Sequence, residues 1–198
     1  MSEPVKTRRR GAELVNAIYD AAIDELVELG IGRLTMEGIA RRAGTAKTSL
    51  YRRWPDTHEL LLAAFYHHMP QEVPSPSADD LRGDLIAALN LMRDWLATPA
   101  ARGMAGIVTA RHLHPELADR LFAEVFDPRG SRFTLTVLRH YADRGEFDPA
   151  RLTPVVANIG EALLIKVATD ENRLPGEADI IAIVDQAIMP ALGILNDR

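Results

Sequence analysis

The chain of 198 residues contains no cysteine. This absence excludes disulfide bonds, thiolate-bound zinc, iron–sulfur clusters and cysteine nucleophiles, and it fits an intracellular protein. No apolar run approaches the ~18 residues that a transmembrane helix needs. The polar and basic residues 1–10 are not followed by the apolar stretch of a signal peptide. We therefore expect a cytoplasmic protein without membrane contact.

Motifs for catalysis and metal binding are also missing. The sequence has no G-x-S-x-G, P-loop or Rossmann fingerprint. His67 and His68 are adjacent, and His112 and His114 are two residues apart. Within each pair the rings point to different sides of a helix, so they cannot chelate one metal ion. We expect no enzyme, no metal site and no cofactor, although catalysis stays an alternative.

Charge is unevenly distributed along the chain. The 23 basic and 28 acidic residues give a net charge of -5, which by itself argues against nucleic-acid binding. Residues 33–54, however, carry six basic side chains against one acid, Glu37. Such asymmetry indicates a nucleic-acid module joined to an acidic body, or else an ordinary solvated face.

Hydrophobic periodicity predicts helices along most of the chain. Apolar residues recur three and four positions apart at Val15, Ile18, Ala22, Leu26 and Leu29. The proline-rich segment 70–77 indicates a domain boundary or a long loop. Residues 133–138 alternate as in a strand, but no partner strand or hairpin turn lies nearby, so we interpret them as helix. The sequence predicts an all-α fold of about nine helices.

Two short helices joined by a tight turn at Gly44 form a helix-turn-helix pattern. Thr35 occupies the N-cap position of the first helix. In the second, Leu50 and Trp54 share one face, and the opposite face displays side chains that suit a DNA major groove. That face comprises Lys47, Thr48, Tyr51 and Arg52, flanked by Ser49 and Arg53. The alternative is a plain helical hairpin with a solvated basic face.

The pieces LTMEGIARRAG, KTSLYRRW and ELLLAAF resemble the DNA-binding region of the TetR family of transcriptional regulators. The family pattern is close to T-x-x-x-I-A-x-x-A-G-V-S-x-G-x-L-Y-x-x-F followed by K-x-x-L. This chain departs from it at Thr45–Ala46, at Thr48 in place of glycine, at Trp54 in place of phenylalanine and at Thr57 in place of lysine. The resemblance implies DNA contacts from Thr35, Arg42, Thr45, Lys47, Thr48, Ser49, Tyr51, Arg52 and Arg53.

The resemblance also implies the domain organisation. We expect a basic flexible arm (1–10), a three-helix helix-turn-helix DNA-binding domain (11–56) and a connecting helix (57–69). A larger helical domain for effector binding and dimerisation follows (78–198). The arm can enter a minor groove or be a solubilising tail.

The last two predicted helices are apolar around more than one face. Burying a single stripe of each would leave apolar surface exposed. A symmetric four-helix interface from two copies would cover that surface, whereas the alternative is a core helix buried within one copy. We expect a homodimer whose interface comprises Val156, Ile159, Leu163, Val184, Ile188, Leu192 and Leu195.

An effector pocket in the second half is less clearly marked. Apolar side chains that can line it, or that simply pack in a core, are Met92, Trp95, Met104, Phe122, Phe126, Phe133 and Tyr141. The function implied is a homodimeric, ligand-responsive regulator, usually a repressor, on a pseudo-palindromic double-stranded DNA operator. A small-molecule effector would release it. The alternatives are a helical adaptor or a small-molecule-binding protein without DNA binding.

Overall fold

The computed structural model describes residues 11–73, 79–129 and 133–194. Every regular element in these ranges is helical, which confirms the all-α prediction. The predicted arm (1–10) and Leu195 lie outside the described residues. The helices are α1 (Ala12–Leu29), α2 (Met36–Ala43), α3 (Lys47–Tyr51), α4 (Thr57–His68), α5 (Leu81–Leu96), α6 (Pro99–Thr109), α7 (Pro115–Leu121), α8 (Phe133–Asp143), α9 (Pro154–Asp170) and α10 (Glu177–Ile183).

Two helices continue through irregular turns. α7 is followed by a π-helical turn, Phe122–Phe126, and α10 by another, Val184–Ile188. The second turn precedes Pro190, which has no N–H to donate to the preceding turn. The last helical residues are Met189–Ala191. The sequence predicted that Pro190 would kink or end this helix, and the helix ends one residue after it.

The chain divides into two units. Of the described residues, the first unit comprises 11–68 and 102–121, and the second comprises 69–73, 79–101, 122–129 and 133–194. This grouping differs from the predicted domain 78–198, because most of α6 and all of α7 belong with the first unit. Gly103 is one reason, since a Cβ there would come within 2.9 Å of Leu26 Cδ2 on α1. The sequence pattern of α6 carries no signal for this close approach.

The first unit has a continuous apolar core. It is formed by side chains with no exposed surface from α1, α2, α3 and α4. The apolar stripe predicted on α1 supplies Ile18, Ala22 and Leu26, all buried. Burial of this stripe against α2 and α4 positions the helix-turn-helix. The fully buried members include Ile18, Ile39, Leu50, Leu60, Leu61 and Phe65.

The second unit packs α5 against α8, α9 and α10. Gly160 of α9 allows a close approach, because a Cβ there would lie 2.9 Å from both Ile188 and Thr134 side-chain carbons. The hydroxyl of buried Tyr141 donates to Asp84 Oδ2 at 2.6 Å. Arg82 forms a bidentate salt bridge with Asp185: its Nε donates to Oδ1 at 2.6 Å and a terminal nitrogen donates to Oδ2 at 2.9 Å. Polar contacts therefore join α5 to both α8 and the turn after α10.

Candidate nucleic-acid interface

Local backbone geometry forms the turn between α2 and α3. Thr35 caps α2 as predicted, since its Oγ1 accepts a hydrogen bond from the Gly38 N–H at 3.1 Å. α2 ends at Gly44, whose φ of 67° lies in the left-handed region that glycine adopts without steric cost. The Thr45 N–H then donates to the Ala40 carbonyl at 3.0 Å. Only residues 44–46 separate α2 from α3, and the two helices are in contact.

One face of α3 is anchored in the core. Leu50 has no exposed surface, and Trp54, just after the helix, is also buried. The Trp54 ring lies 5.5 Å from that of Tyr19 on α1, measured between centroids. Ser49 is buried as well. It was predicted to contact DNA, but its side chain faces the protein.

The opposite face of α3 is open to solvent. Lys47, Thr48, Tyr51, Arg52 and Arg53 are all exposed, and Tyr51 shows 47% of its surface. The Lys47 ammonium lies 5.2 Å from the centre of the Tyr51 ring and pairs with the Glu37 carboxylate. Five of the predicted DNA-contacting side chains are thus exposed on α3 and in the two residues after it, while Thr45, before α3, is half-buried. We call Lys47, Thr48, Tyr51, Arg52 and Arg53 the α3 face.

Arg42 forms salt bridges with two acidic residues of α1. Its Nε donates to Glu25 Oε2 at 2.8 Å, and a terminal nitrogen bonds to Glu28. The carboxylates of Glu28 and Glu25 raise the pKa of Arg42 above its ordinary value. Arg42 was predicted to contact DNA, but in this structure it joins α2 to α1.

Glu25, the buried acid of this contact, is only 3% exposed and was not among the predicted site residues. Arg41 also approaches it, at 3.9 Å. A signal was available, because Glu25 follows Ala22 by three positions and Ile18 by seven. It therefore lies on the apolar face of α1, where an acid needs a partner. Glu25 and Arg42 together fix the orientation of α2 on α1.

The predicted pocket residues differ in burial. Met92, Trp95, Phe133 and Tyr141 are buried, while Phe122 is exposed and Phe126 half-buried. Trp95 contacts the rings of Phe126 and Phe133, with centroids 6.5 and 6.3 Å away. Met104 belongs to the first unit. Phe133 also lines a cleft of about 310 Å³ in the second unit.

The predicted dimer residues fall into two groups. Val156, Ile159 and Leu163 form a stripe on α9 that is half-buried or exposed. Val184, Ile188 and Leu192 are at most 2% exposed, so their side chains lie inside the chain's own core. This placement argues against their contacting a second copy. The physical reason is that Gly160 lets α9 approach Ile188 closely and cover it.

These features define a class: a helix-turn-helix protein with a polar, cationic recognition surface joined to a separate helical unit. No helix in the described ranges is long and apolar enough to cross a membrane. Among the same residues, no group of three or more His, Cys, Asp or Glu side chains is arranged to hold a metal ion.

Comparisons with known proteins identify the family. The family model for bacterial regulatory proteins of the tetR family matches residues 18–64, and the model for the tetracyclin repressor-like C-terminal domain matches residues 75–187. The uncharacterised HTH-type transcriptional regulator Rv2250c of Mycobacterium tuberculosis is 35% identical over 188 residues, which cover 90% of this chain and 89% of the relative. The chain therefore belongs to the TetR family. It is a DNA-binding transcriptional regulator, and the enzyme alternative is wrong.

Solved structures have the same fold. MexZ, a repressor of Pseudomonas aeruginosa, superimposes with a TM-score of 0.65 at 23% identity, over 94% of this chain and 96% of its own. The flavonoid-responsive regulator FrrA superimposes with a TM-score of 0.66 at 17% identity, over 92% of this chain and 97% of its own. These likenesses support the helix-turn-helix assignment and the helical second unit.

Proposed function

We propose that the protein is a ligand-responsive repressor that binds a pseudo-palindromic operator as a homodimer. The observation that carries this proposal is the α3 face, where exposed cationic, hydroxyl and aromatic side chains stand opposite the buried Leu50. MexZ is a repressor and FrrA responds to flavonoids, which supports both repression and a small-molecule effector. A protein with this function acts in the cytoplasm, where bacterial DNA lies.

The side chains of the α3 face would contact both the phosphates and the bases of the DNA. Lys47, Arg52 and Arg53 are exposed cations that reach phosphates or guanine edges, and Thr48 and Tyr51 supply hydroxyl and apolar contacts to base edges. Thr35, just before α2, and Thr45, in the turn between α2 and α3, would contact the phosphates of the DNA backbone. We assign Ser49 and Arg42 to positioning α3 and α2, because Ser49 is buried and Arg42 is bonded to two acids.

A second copy would cover the apolar stripe of α9. Buried Ala157, Gly160 and Leu164 line the side of α9 that packs on its own chain, which leaves Val156, Ile159 and Leu163 beside it. Val155, on the same helix, is 73% exposed. Two copies joined here would present two α3 faces to half-sites about 10 bp apart, or a multiple of that spacing. An effector releases the DNA by binding more tightly to a dimer geometry that misplaces the two faces.

The DNA contact is tested with the full chain and the region upstream of its own gene. Fluorescence anisotropy over a salt series measures the affinity and the number of phosphates neutralised. Lys47→Ala should weaken binding and reduce the salt slope by roughly one, and Tyr51→Ala should weaken binding with little change in slope. Arg111→Ala is the control, since Arg111 is an exposed cation paired with an acid, Asp119, and lies outside both the helix-turn-helix and α9.

Two results would contradict the assignment. If neither Lys47→Ala nor Tyr51→Ala changes the affinity, α3 is not the recognition helix. If the wild-type chain binds neither its own upstream region nor any fragment selected from genomic DNA, the proposed repressor function is wrong.

The dimer is tested by sedimentation at micromolar concentration. Leu163→Asp places a charge on the α9 stripe and should produce a monomer. Leu113→Asp is the control, because Leu113 is 66% exposed and lies in the first unit. A wild-type monomer, or a Leu163→Asp dimer of unchanged affinity, contradicts the α9 interface.

A further inference from the structure

An acidic residue lies beside the cations of the α3 face. Glu37 is the one acid in the basic segment 33–54. It is the second residue of α2, and its side chain is exposed. A carboxylate beside a surface that binds DNA repels the phosphates, so Glu37 opposes the interaction that the surrounding cations favour.

Glu37 has a defined partner on the α3 face. Its carboxylate forms a salt bridge with the ammonium of Lys47, across the turn between α2 and α3. The same ammonium lies 5.2 Å from the centre of the Tyr51 ring, whose face attracts cations. About half of each charged side chain of the pair is exposed to solvent. The salt bridge is therefore accessible to a competing anion and is screened by salt.

A DNA phosphate would compete with Glu37 for the same group. Carboxylate and phosphate oxygens are both anionic acceptors for an ammonium group. When a phosphate takes the place of the carboxylate on Lys47, the free energy of the salt bridge is lost. A Lys47 that carried no acidic partner would bind the phosphate without this loss.

We propose that Glu37 competes with DNA phosphates for Lys47 and thereby lowers the affinity of the chain for DNA of any sequence. Because the competition concerns phosphates and not base edges, it leaves the ratio of operator to non-specific affinity unchanged. A weaker complex also requires a smaller differential affinity of the effector for its release. This inference rests on the proposed contact between the α3 face and DNA.

Glu37→Gln tests the competition, because it removes the charge and nearly keeps the shape of the side chain. Fluorescence anisotropy over a salt series measures binding to a fragment that the wild-type chain binds and to a scrambled fragment of the same length. Both affinities should rise about two- to fivefold at low salt, which is the range that an exposed ion pair supports. The gain should shrink at high salt, where the pair is already screened.

A double-mutant cycle shows whether Glu37 acts through Lys47. In a Lys47→Ala background there is no ammonium to compete for, so Glu37→Gln should give a smaller gain that reflects only the direct repulsion of phosphates. Asp119→Asn is the matched control, since Asp119 is an exposed acid paired with an exposed cation, Arg111, and the net charge changes by the same amount. It should leave both affinities nearly unchanged.

Urea unfolding separates this effect from a change in stability. Glu37 lies in the first turn of α2, where an acid interacts favourably with the helix dipole. The free energy of unfolding of Glu37→Gln should therefore equal that of the wild-type chain or be slightly lower, so that tighter DNA binding does not arise from a more stable fold.

Four results would overturn the inference: unchanged or weaker binding in Glu37→Gln, a gain for one fragment alone, an equal gain in the Lys47→Ala background, or an equal gain in Asp119→Asn. If one of them occurs while Lys47→Ala weakens binding, the DNA contact of the α3 face stands and the role of Glu37 is wrong. If Lys47→Ala leaves the affinity unchanged, the contact of Lys47 is itself wrong, and the role of Glu37 is wrong with it.

Discussion

Gly38 allows a direct test of the buried acid that joins α1 to α2. A Cβ at residue 38 would overlap Glu25 Oε1. Glu25 is 3% exposed, and its other oxygen accepts a hydrogen bond from Arg42. Gly38→Ala therefore displaces the carboxylate from its place on Arg42, although alanine is otherwise the better helix former.

The two effects have opposite signs. Alanine in place of glycine stabilises a helix interior by about 1 kcal/mol. A hydrogen bond to a charged group contributes about 1.5–3 kcal/mol, and solvent screening of Arg42 argues for the lower end. We expect Gly38→Ala to lower the free energy of unfolding by about 0.5–1 kcal/mol. In a Glu25→Ala chain, where the overlap with the carboxylate is gone, the same change should raise it by up to about 1 kcal/mol.

The change of sign is the measured result. Urea unfolding, followed by tryptophan fluorescence at one fixed protein concentration, gives the four free energies of the cycle. Thr35 Oγ1 would lie 3.2 Å from the new Cβ with or without Glu25. Its effect on the free energy of unfolding is therefore the same in both backgrounds and cancels when the two are compared. In a Glu28→Ala background, Gly38→Ala should still destabilise, because Glu28 is exposed and does not overlap the Cβ. The same effect of Gly38→Ala with and without Glu25 would refute the reasoning.

Two further predictions concern the first unit. Gly103→Ala should lower the free energy of unfolding by about 1 kcal/mol, because its Cβ would meet Leu26 at 2.9 Å and overpacking outweighs the gain in helix propensity. The Cβ of Gly106→Ala would meet nothing within 4 Å, so this change should raise the free energy of unfolding by about 0.5–1 kcal/mol. If the urea midpoint of Gly103→Ala is higher than that of Gly106→Ala, the close packing at Gly103 is contradicted. Burial lowers the pKa of His68, and the nearby Asp20 only partly opposes this effect. As the pH falls, the unfolded chain therefore binds a proton at this histidine near the ordinary value of 6.5, and the folded chain binds it at a lower pH. The contribution to stability is full above this pH and is lost as the pH falls below it, so the urea midpoint should decline between about pH 7.5 and pH 5.5. The urea midpoint of the His68→Gln variant should decline less over this range. An equal decline in both proteins excludes His68 as the cause.

Features determined by neighbouring residues were predictable from the sequence. The Thr35 cap, the turn at Gly44 and the exposed side of α3 depend on spacings of a few residues, and the structure has all three. The ambiguous segment 133–138 is helical, as predicted, in α8. The short recognition helix, Lys47–Tyr51, lacks a side-chain cap because its N-cap residue is Ala46.

Features that depend on distant residues were not predictable. Whether Val184, Ile188 and Leu192 face a partner or their own core depends on how closely α9 approaches them, and that approach depends on Gly160. The grouping of α6 with the first unit similarly depends on Gly103. Periodicity shows that a helix has apolar faces, but it does not show which neighbour covers each one.

The two cations Lys47 and Arg42 show why local charge alone did not identify the DNA contacts. Both belong to the basic segment 33–54, and both are paired with acids in the free chain. The Lys47–Glu37 pair is about half exposed on both sides, and such surface pairs contribute ~1 kcal/mol or less, so a phosphate can replace Glu37 at little cost. Arg42 bonds to Glu25, and its departure would leave a buried carboxylate without that hydrogen bond, at the larger cost of about 1.5–3 kcal/mol. The burial of the acidic partner, more than the charge of the basic residue, therefore decides which cation is available to DNA.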